Sequence, residues 1–365
     1  FIPEKYSDML GILSTNIYEI SLPREFSETN QVVYFENVDP MPKDVYKDSE
    51  GNVIALFEIP ANRDGVIKIN GYITVQQDEW SEDDNRFDIS FSDYLEKIKS
   101  EGYISRYLSS GKYWEVNDKY IKEEAEKLRN GKDSLLEIIK ADYQYVGEKL
   151  EYDQEKATSE NERIGAKKAL EGGSSVCMEY ADVMIALLRA QGIPSRAAIG
   201  YANLEESSPN GEVRHQWVQL WIPDYGWLSI DPTFESNNIR MGQMIDRVLW
   251  EVFSDDSLSN IKIYSANNAT NLTTEGYTVK IYGVSDELDL SNMMSVNDLS
   301  PDNEVKEDST PNVLTLGSTI LKTTVLGKAL IIATPILIVL VVLIVGISVI
   351  RQLHKKSKAR RVISV

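Results

Sequence analysis

Along the first 80 residues apolar and polar positions alternate in short runs, "QVVYF", "VIALFEI" and "VIKINGYITV", separated by the turn signals "DSEGN" and "ANRDG". A period of two over short stretches predicts half-buried strands with tight connections, so residues 1–90 are expected to form a β-rich, sandwich-like domain. From about 91 to 190 the period becomes helical, through "SDYLEKIKSEGYISRYL", "NDKYIKEEAEKLRN", "DSLLEIIKADYQYVGEKL" and "CMEYADVMIALLRAQG". Each begins near Ser, Asp or Asn, or ends near Gly, as capped helices do. Strands return at "SRAAIGYA", "HQWVQLWI" and "GWLSI". Helices followed by an antiparallel sheet predict an α+β fold.

Beyond residue 235 the pattern weakens. "MGQMIDRVLWEVF" reads as a helix, and "IKIYS" and "YTVKIYGV" as short strands that extend the second domain, giving it the bounds 91–284. Residues 285–326, rich in Asp, Ser, Asn and Thr, read as a flexible acidic tether.

Residues 329–350, "ALIIATPILIVLVVLIVGISVI", carry no charge. As a helix this run spans about 33 Å, enough to cross a bilayer. With its flank it defines an expected transmembrane helix at 327–350 and a basic tail at 351–365. The tail holds Arg351, Lys355, Lys356, Lys358, Arg360 and Arg361 and no acid, which the positive-inside rule places in the cytoplasm. Residues 1 to about 325 are then expected outside the cell, on a single-pass protein of the cell membrane. Phe1 in place of Met is expected of a mature chain whose signal peptide has been removed, although a truncated chain would begin the same way. The sequons Asn268-Ala-Thr and Asn271-Leu-Thr are candidate N-glycosylation sites.

Composition narrows the partners. The formal net charge is −19, and outside the basic tail 32 basic residues face 57 acidic ones, a balance that repels nucleic acid. At 42% apolar residues in 365 the chain can bury sizeable cores. The acidic stretch "DEWSEDDNRFD" at 78–88 lacks the ligand spacing of an EF-hand and reads as a solvated interdomain loop; no metal or cofactor is expected.

The chain holds one cysteine, Cys177, and two histidines, His215 and the tail's His354. "GGSS" precedes Cys177 and a buried-helix pattern follows, placing the thiol in a first helical turn, where the dipole favours thiolate. The competing reading is a small hydrophobe in the core. A cysteine nucleophile needs a base, and the base a group that fixes its tautomer. His215 opens one strand and Asp231 ends the next, across the turn "PDYG". Register decides whether they meet. Ile222 opposite Trp227 puts Asp231 on the face away from His215; Ile222 opposite Gly226 puts it opposite Trp217, diagonal to His215 and within reach.

"GGSSVCMEYADVMIALLRAQGIPSRAAIGY" resembles the transglutaminase-like superfamily pattern of Gly-x-Cys, a helix, and Leu-Leu-Arg-x-x-Gly-Ile-Pro-x-Arg, with Ser175 where that family often has Gly. "HQWVQLWIPDYGWLSIDPT" is similar to its His-x-Trp-Val and Gly-Trp-x-x-x-Asp-Pro-Thr segments, and "YVGEKLEYD" to the approach to the nucleophile helix. The likeness covers roughly residues 133–235. More loosely, the β-rich start and the helices near 91–130 resemble the N-terminal region of prokaryotic members.

The resemblance implies a papain-like core with Cys177 as nucleophile, His215 as base and Asp231 as its orienting carboxylate. The implied chemistry is acyl transfer through a thioester, ending in hydrolysis of an extracellular peptide or amide bond, or in a crosslink to an amine. The backbone N–H of Cys177 is the expected first oxyanion donor. Gln144 and Tyr145 are candidates for a second, with packing or surface roles as the alternative. Trp217 and Trp227 either wall the cleft or fill the core, and Arg196 and Asp224 read as structural. Expected partners are a protein or peptide substrate at the cell surface and the lipid bilayer. A non-catalytic scaffold beside a membrane partner is the competing class, since fold alone does not name an activity.

Overall fold

A computed structural model describes residues 15–26, 31–60, 66–76, 78–81, 87–158, 162–202, 213–233, 239–244, 246–254, 261–265, 291–302 and 304–307. The first six strands are β1 (Thr15–Leu22), β2 (Val32–Asp39), β3 (Asp44–Lys47), β4 (Val53–Pro60), β5 (Lys68–Thr74) and β6 (Asp78–Glu79). They are followed later in the chain by β7 (Ser195–Ala202), β8 (Val213–Ile222), β9 (Gly226–Ile230), β10 (Gly242–Gln243), β11 (Arg247–Phe253), β12 (Ile261–Ser265) and β13 (Lys306–Glu307).

The β-rich start is a sandwich. A five-stranded sheet in the order β12-β1-β4-β3-β13 faces the antiparallel pair β2–β5. The alternation is what fills the space between them: Val33 and Phe35 point inward from β2, and a bulge between Phe35 and Asn37 lets Val38 do the same. They meet Ile20, Leu22, Val45, Ala55 and Phe57 in one apolar cluster. β12 pairs with β1, so the chain returns from the second domain to the first sheet, and the two are not separated by a single boundary. The described residues all fall within one compact unit, Phe1–Glu307.

Part of the expected tether is folded. Met294 exchanges two backbone hydrogen bonds of 2.8 Å with Phe35, Leu299 is buried in the sandwich core, and β13 pairs in parallel with β3. The polar composition of the segment as a whole conceals a few well-spaced apolar residues, Met294, Val296, Leu299 and Val305, that pack on the sandwich. The remainder of 285–326, the sequons at Asn268 and Asn271, the apolar run at 329–350 and the basic tail lie outside the described residues. Among the described residues no helix is long and apolar enough to cross a membrane.

In the second half, Ser90 caps the helix Phe91–Ser100, Asp118 the helix Lys119–Arg129, and a Ser134/Glu137 capping box opens Leu135–Lys149. Their apolar faces surround the helix Cys177–Ala190, in which every residue from Glu179 to Arg189 is buried. That helix stops in a Schellman turn: Gly192, at φ 90°, supplies the left-handed conformation while the N–H groups of Gly192 and Ile193 bond Arg189 O and Leu188 O. The Arg189 guanidinium then bonds the carbonyls of Ser109, Ser195 and Ser254, tying the helix end to β7 and to the residue after β11.

The helix packs on an antiparallel sheet in the order β11-β7-β8-β9. This is an α+β arrangement, as the pattern predicts. The expected helix at 241–253 is instead β10 and β11. A bulge between Leu249 and Glu251 inserts an extra residue, so the buried Val248, Leu249, Val252 and Phe253 stand in two pairs four residues apart and imitate a helical period.

Candidate active site

Cys177 is the first residue of its helix and is partly exposed. The turn before it is held from inside. Glu179 accepts the N–H of Val176 at 3.0 Å and that of Ile164 at 3.1 Å, and it pairs with the buried Lys156 at 3.0 Å. Lys156 also bonds Ser174 O at 2.9 Å. One turn on, the buried Asp182 receives Trp114 Nε1 at 2.8 Å and a two-pronged contact from Arg163. Burial pushes Asp182 up to about 6, against the opposing pull of Arg163. These contacts tie the thiol end of the helix to Lys156, Arg163, Ile164 and Trp114.

His215 stands on β8 opposite Gly200 of β7. Gly200 has no side chain to lose there: a Cβ would lie 1.9 Å from Val248 O on β11 and 3.0 Å from the Trp217 ring. The β8–β9 hairpin pairs Ile222 with Gly226, the odd register, and continues through Val218 opposite Ile230, which leads Asp231 to the place opposite Trp217. Pro223 and Asp224 (φ 68°) are the central residues of the turn, closed by Tyr225 N–H on Ile222 O at 3.1 Å, a type II geometry. Asp224 is therefore a turn residue that pairs with Lys97.

The outcome is a contact of 2.7 Å between His215 Nε2 and Asp231 Oδ2, with both side chains buried. The Cys177 side chain acts on the same imidazole and favours its charged form. With Nε2 taken by Asp231, Nδ1 is the nitrogen left for the thiol. Burial works against charge on the ring, but Asp231 and then Cys177 outweigh it and raise His215 to about 9. Asp231, which burial alone would raise, is held well below the usual carboxylate range by His215 and Arg247. The Trp217 ring stacks against the imidazole, 6.1 Å between centroids at 21°.

Two residues that the sequence pattern did not single out belong to this group. Arg247, at the start of β11, places Nη2 at 2.7 Å and Nε at 3.1 Å from Asp231 Oδ2, while Thr233 N–H donates to Oδ1 at 3.1 Å. Tyr152 neighbours the turn before Cys177: its backbone bridges Ser175, its ring tilts against Tyr180 at 6.1 Å, and among the described residues its hydroxyl has no hydrogen-bond partner. Burial and then the neighbouring Cys177 raise it to about 12, so it stays a donor at neutral pH. The sequence signal for Tyr152 was its place in the "LEYD" approach; Arg247 had none.

The two oxyanion candidates are elsewhere. Gln144 is exposed, and the Tyr145 hydroxyl donates to Glu124 at 3.0 Å rather than facing the thiol, because both sit on the flank of their helix that looks to solvent and to Lys119–Arg129. Trp227 lies in the core between Tyr107 and Arg196, whose guanidinium is 3.9 Å above the ring. Arg196 also bonds Gln219 at 2.9 Å, a structural contact. Among the described residues no cluster of His, Cys, Asp and Glu could hold a metal ion.

Comparison with known proteins finds the following similarities. The sequence pattern of the transglutaminase-like superfamily matches residues 122–232, which take in Cys177, His215 and Asp231. A protein-glutamine gamma-glutamyltransferase of Pseudomonas aeruginosa is 36% identical over 99 residues, covering 24% of this chain and 15% of its own length. YebA of Bacillus subtilis, an uncharacterized protein, is 27% identical over 157 residues, 39% of this chain and 21% of its own length. The chain thus spans less than a quarter of either curated relative. A solved candidate cysteine protease of Cytophaga hutchinsonii covers 70% of this chain and 82% of its own, at 16% identity and a TM-score of 0.46. Residues 122–232 of this chain are a transglutaminase-like superfamily core.

Proposed function

We propose that this chain is a thiol acyl-transfer enzyme acting on a peptide or carboxamide bond. The observation that carries the reading is the buried His215–Asp231 hydrogen bond, with Cys177, at a helix start, acting on the same ring. A ring whose proton affinity is raised this far can hold the proton that the thiol gives up to it as the sulfur attacks. The thiolate attacks the carbonyl carbon and a C–S bond forms. His215 delivers its proton to the nitrogen as the C–N bond breaks, leaving a thioester. Water or an amine then gives a proton to His215, attacks the thioester, and releases the sulfur. The negative oxygen of each tetrahedral intermediate is met by the Cys177 N–H, one of the helix-start donors that no helical carbonyl takes, and by the Tyr152 hydroxyl.

Hydrolysis is the first reading, since water is always present. Transfer to an amine is the second, favoured by the activity for which the Pseudomonas aeruginosa relative, 36% identical over 99 residues, is named. The apolar run at 329–350 and its basic flank would hold the enzyme in a cell membrane with the core outside. The test is an amide-mimicking thiol probe: fast labelling of wild type, lost in Cys177→Ala and slowed strongly in His215→Ala, supports the enzyme, and equally slow labelling of wild type and His215→Ala overturns it. A fluorescent primary amine fed to the same preparation becomes covalently attached to acceptor proteins only if the second reading holds.

A further inference from the structure

Asp231 is the inner end of a longer line of alternating charge. Arg247 bonds Asp231 through Nη2 and Nε and turns Nη1 to Asp246 Oδ2 at 2.7 Å. Asp246 in turn receives Arg240 at 3.1 and 3.3 Å, and Arg240 reaches Glu79 at 3.2 Å. Exposure grows outward, from 0–2% for the Asp231 and Arg247 side chains to 20–32% for Asp246, Arg240 and Glu79.

The strand that carries Arg247 is itself fixed from outside the core. Among the described residues β11 is the edge of its sheet, with β7 on one side only. On its other side two side-chain amides stand where a neighbouring strand would. Gln31 accepts Leu249 N–H at 2.8 Å and donates to Leu249 O at 2.7 Å; Asn52 accepts Val252 N–H and donates to Val252 O, both at 2.8 Å. Both come from the N-terminal sandwich. Its residues therefore set where β11, and with it the Arg247 guanidinium, lies against Asp231.

We propose that Arg247 is a positioning residue that, steadied by Asp246 and by the sandwich through Gln31 and Asn52, sets the proton affinity of His215 by sharing Asp231 Oδ2 with it. The guanidinium offsets part of the carboxylate charge that the imidazole would otherwise feel alone, so the ring binds its proton less tightly than a bare His–Asp pair would. Asp246 acts in the opposite sense, offsetting part of the guanidinium. The charged and titratable groups around the ring are Cys177 from the helix, Asp231 from the end of β9, Tyr152 from the approach segment, and Arg247 with Asp246 from the β11 side. The inference rests on the relay proposed above as the working site, but it is tested without turnover, so the two can fail separately.

The chain has two histidines, so in a His354→Ala background of the full chain every imidazole signal belongs to His215. Its titration is followed by NMR of 13C-labelled histidine. Arg247→Met is expected to raise the midpoint by at least half a pH unit, roughly threefold tighter proton binding, and Asp246→Asn to lower it. Opposite signs are the signature, because a residue with only a structural role loosens the site the same way whichever partner is removed. Shifts of the same sign, or none, overturn the proposal. Should Arg247→Met fail to fold, the half-buried Asp246→Asn decides alone: a lowered midpoint supports the proposal, and an unchanged or raised one overturns it.

Discussion

Asp231 receives His215 and Arg247 on one and the same oxygen, Oδ2, each at 2.7 Å. A carboxylate loaded in this way by two donors cannot rotate without losing both, and it presents a fixed acceptor to the imidazole. Asp231→Asn keeps the shape but replaces an acceptor with a mixed donor–acceptor and removes the charge that holds the imidazolium. Labelling of Cys177 by a thiol-reactive amide analogue at neutral pH is expected to fall by roughly a hundredfold or more, with the fold retained by circular dichroism.

The same pair makes stability depend on pH at both ends. His215 binds its proton more tightly in the folded protein, about 9 against an ordinary 6.5, so its contribution is fully present below 6.5 and is lost as pH rises through 9. Asp231 is shifted down, so its contribution is present above the ordinary carboxylate range and is lost as pH falls toward its folded value. The melting temperature of wild type is expected to decline between about pH 6.5 and 9, by an amount corresponding to at most roughly 3 kcal/mol. His215→Gln should flatten that alkaline decline; an equally steep one would show that another group causes it.

Gly200 is required by crowding rather than by a turn. In Gly200→Ala the new methyl would sit 1.9 Å from a backbone oxygen of β11, which can yield only if β11 moves off β7. A loss of about 3 kcal/mol or more in denaturant unfolding is expected, together with slower labelling of Cys177, because β11 carries Arg247.

Lys156 and Glu179 form a buried pair, 6% and 0% exposed, that braces the turn before Cys177. Removing one partner strands the other. Glu179→Ala is expected to cost about 3–5 kcal/mol, read from the denaturant midpoint, and more than the double variant Lys156→Met/Glu179→Leu.

Much of this site is legible in the sequence, because Cys177 stands alone in the chain and its helix, its Leu-Leu-Arg-x-x-Gly-Ile-Pro ending and the two following strands each carry their own local signal. The hairpin register stays open in the sequence, where an odd alignment or a bulge would each bring Asp231 to His215, and the structure takes the odd one, Ile222 opposite Gly226. Arg247 was hidden for a definite reason. The bulge in β11 shifts the apolar spacing of 241–253 from two toward four, so the residue reads as one charge on a helix rather than as the neighbour of a carboxylate 16 positions away. Gln144 and Tyr145 failed for the converse reason, since proximity in sequence to the nucleophile motif says nothing about which flank of a helix faces it. The folding back of 291–307 was masked by averaging, as four apolar contacts are diluted among Asp, Ser and Asn.

The amide pair from Gln31 and Asn52 bears on how the molecule may be divided. A fragment cut down to 91–254 would keep Cys177, His215, Asp231 and Arg247, yet its outermost strand would display bare N–H and C=O groups ready to recruit a strand from another molecule. The sandwich thus serves its neighbour as a seal as well as a brace, and trimming it away invites self-association before any loss of chemistry could be measured.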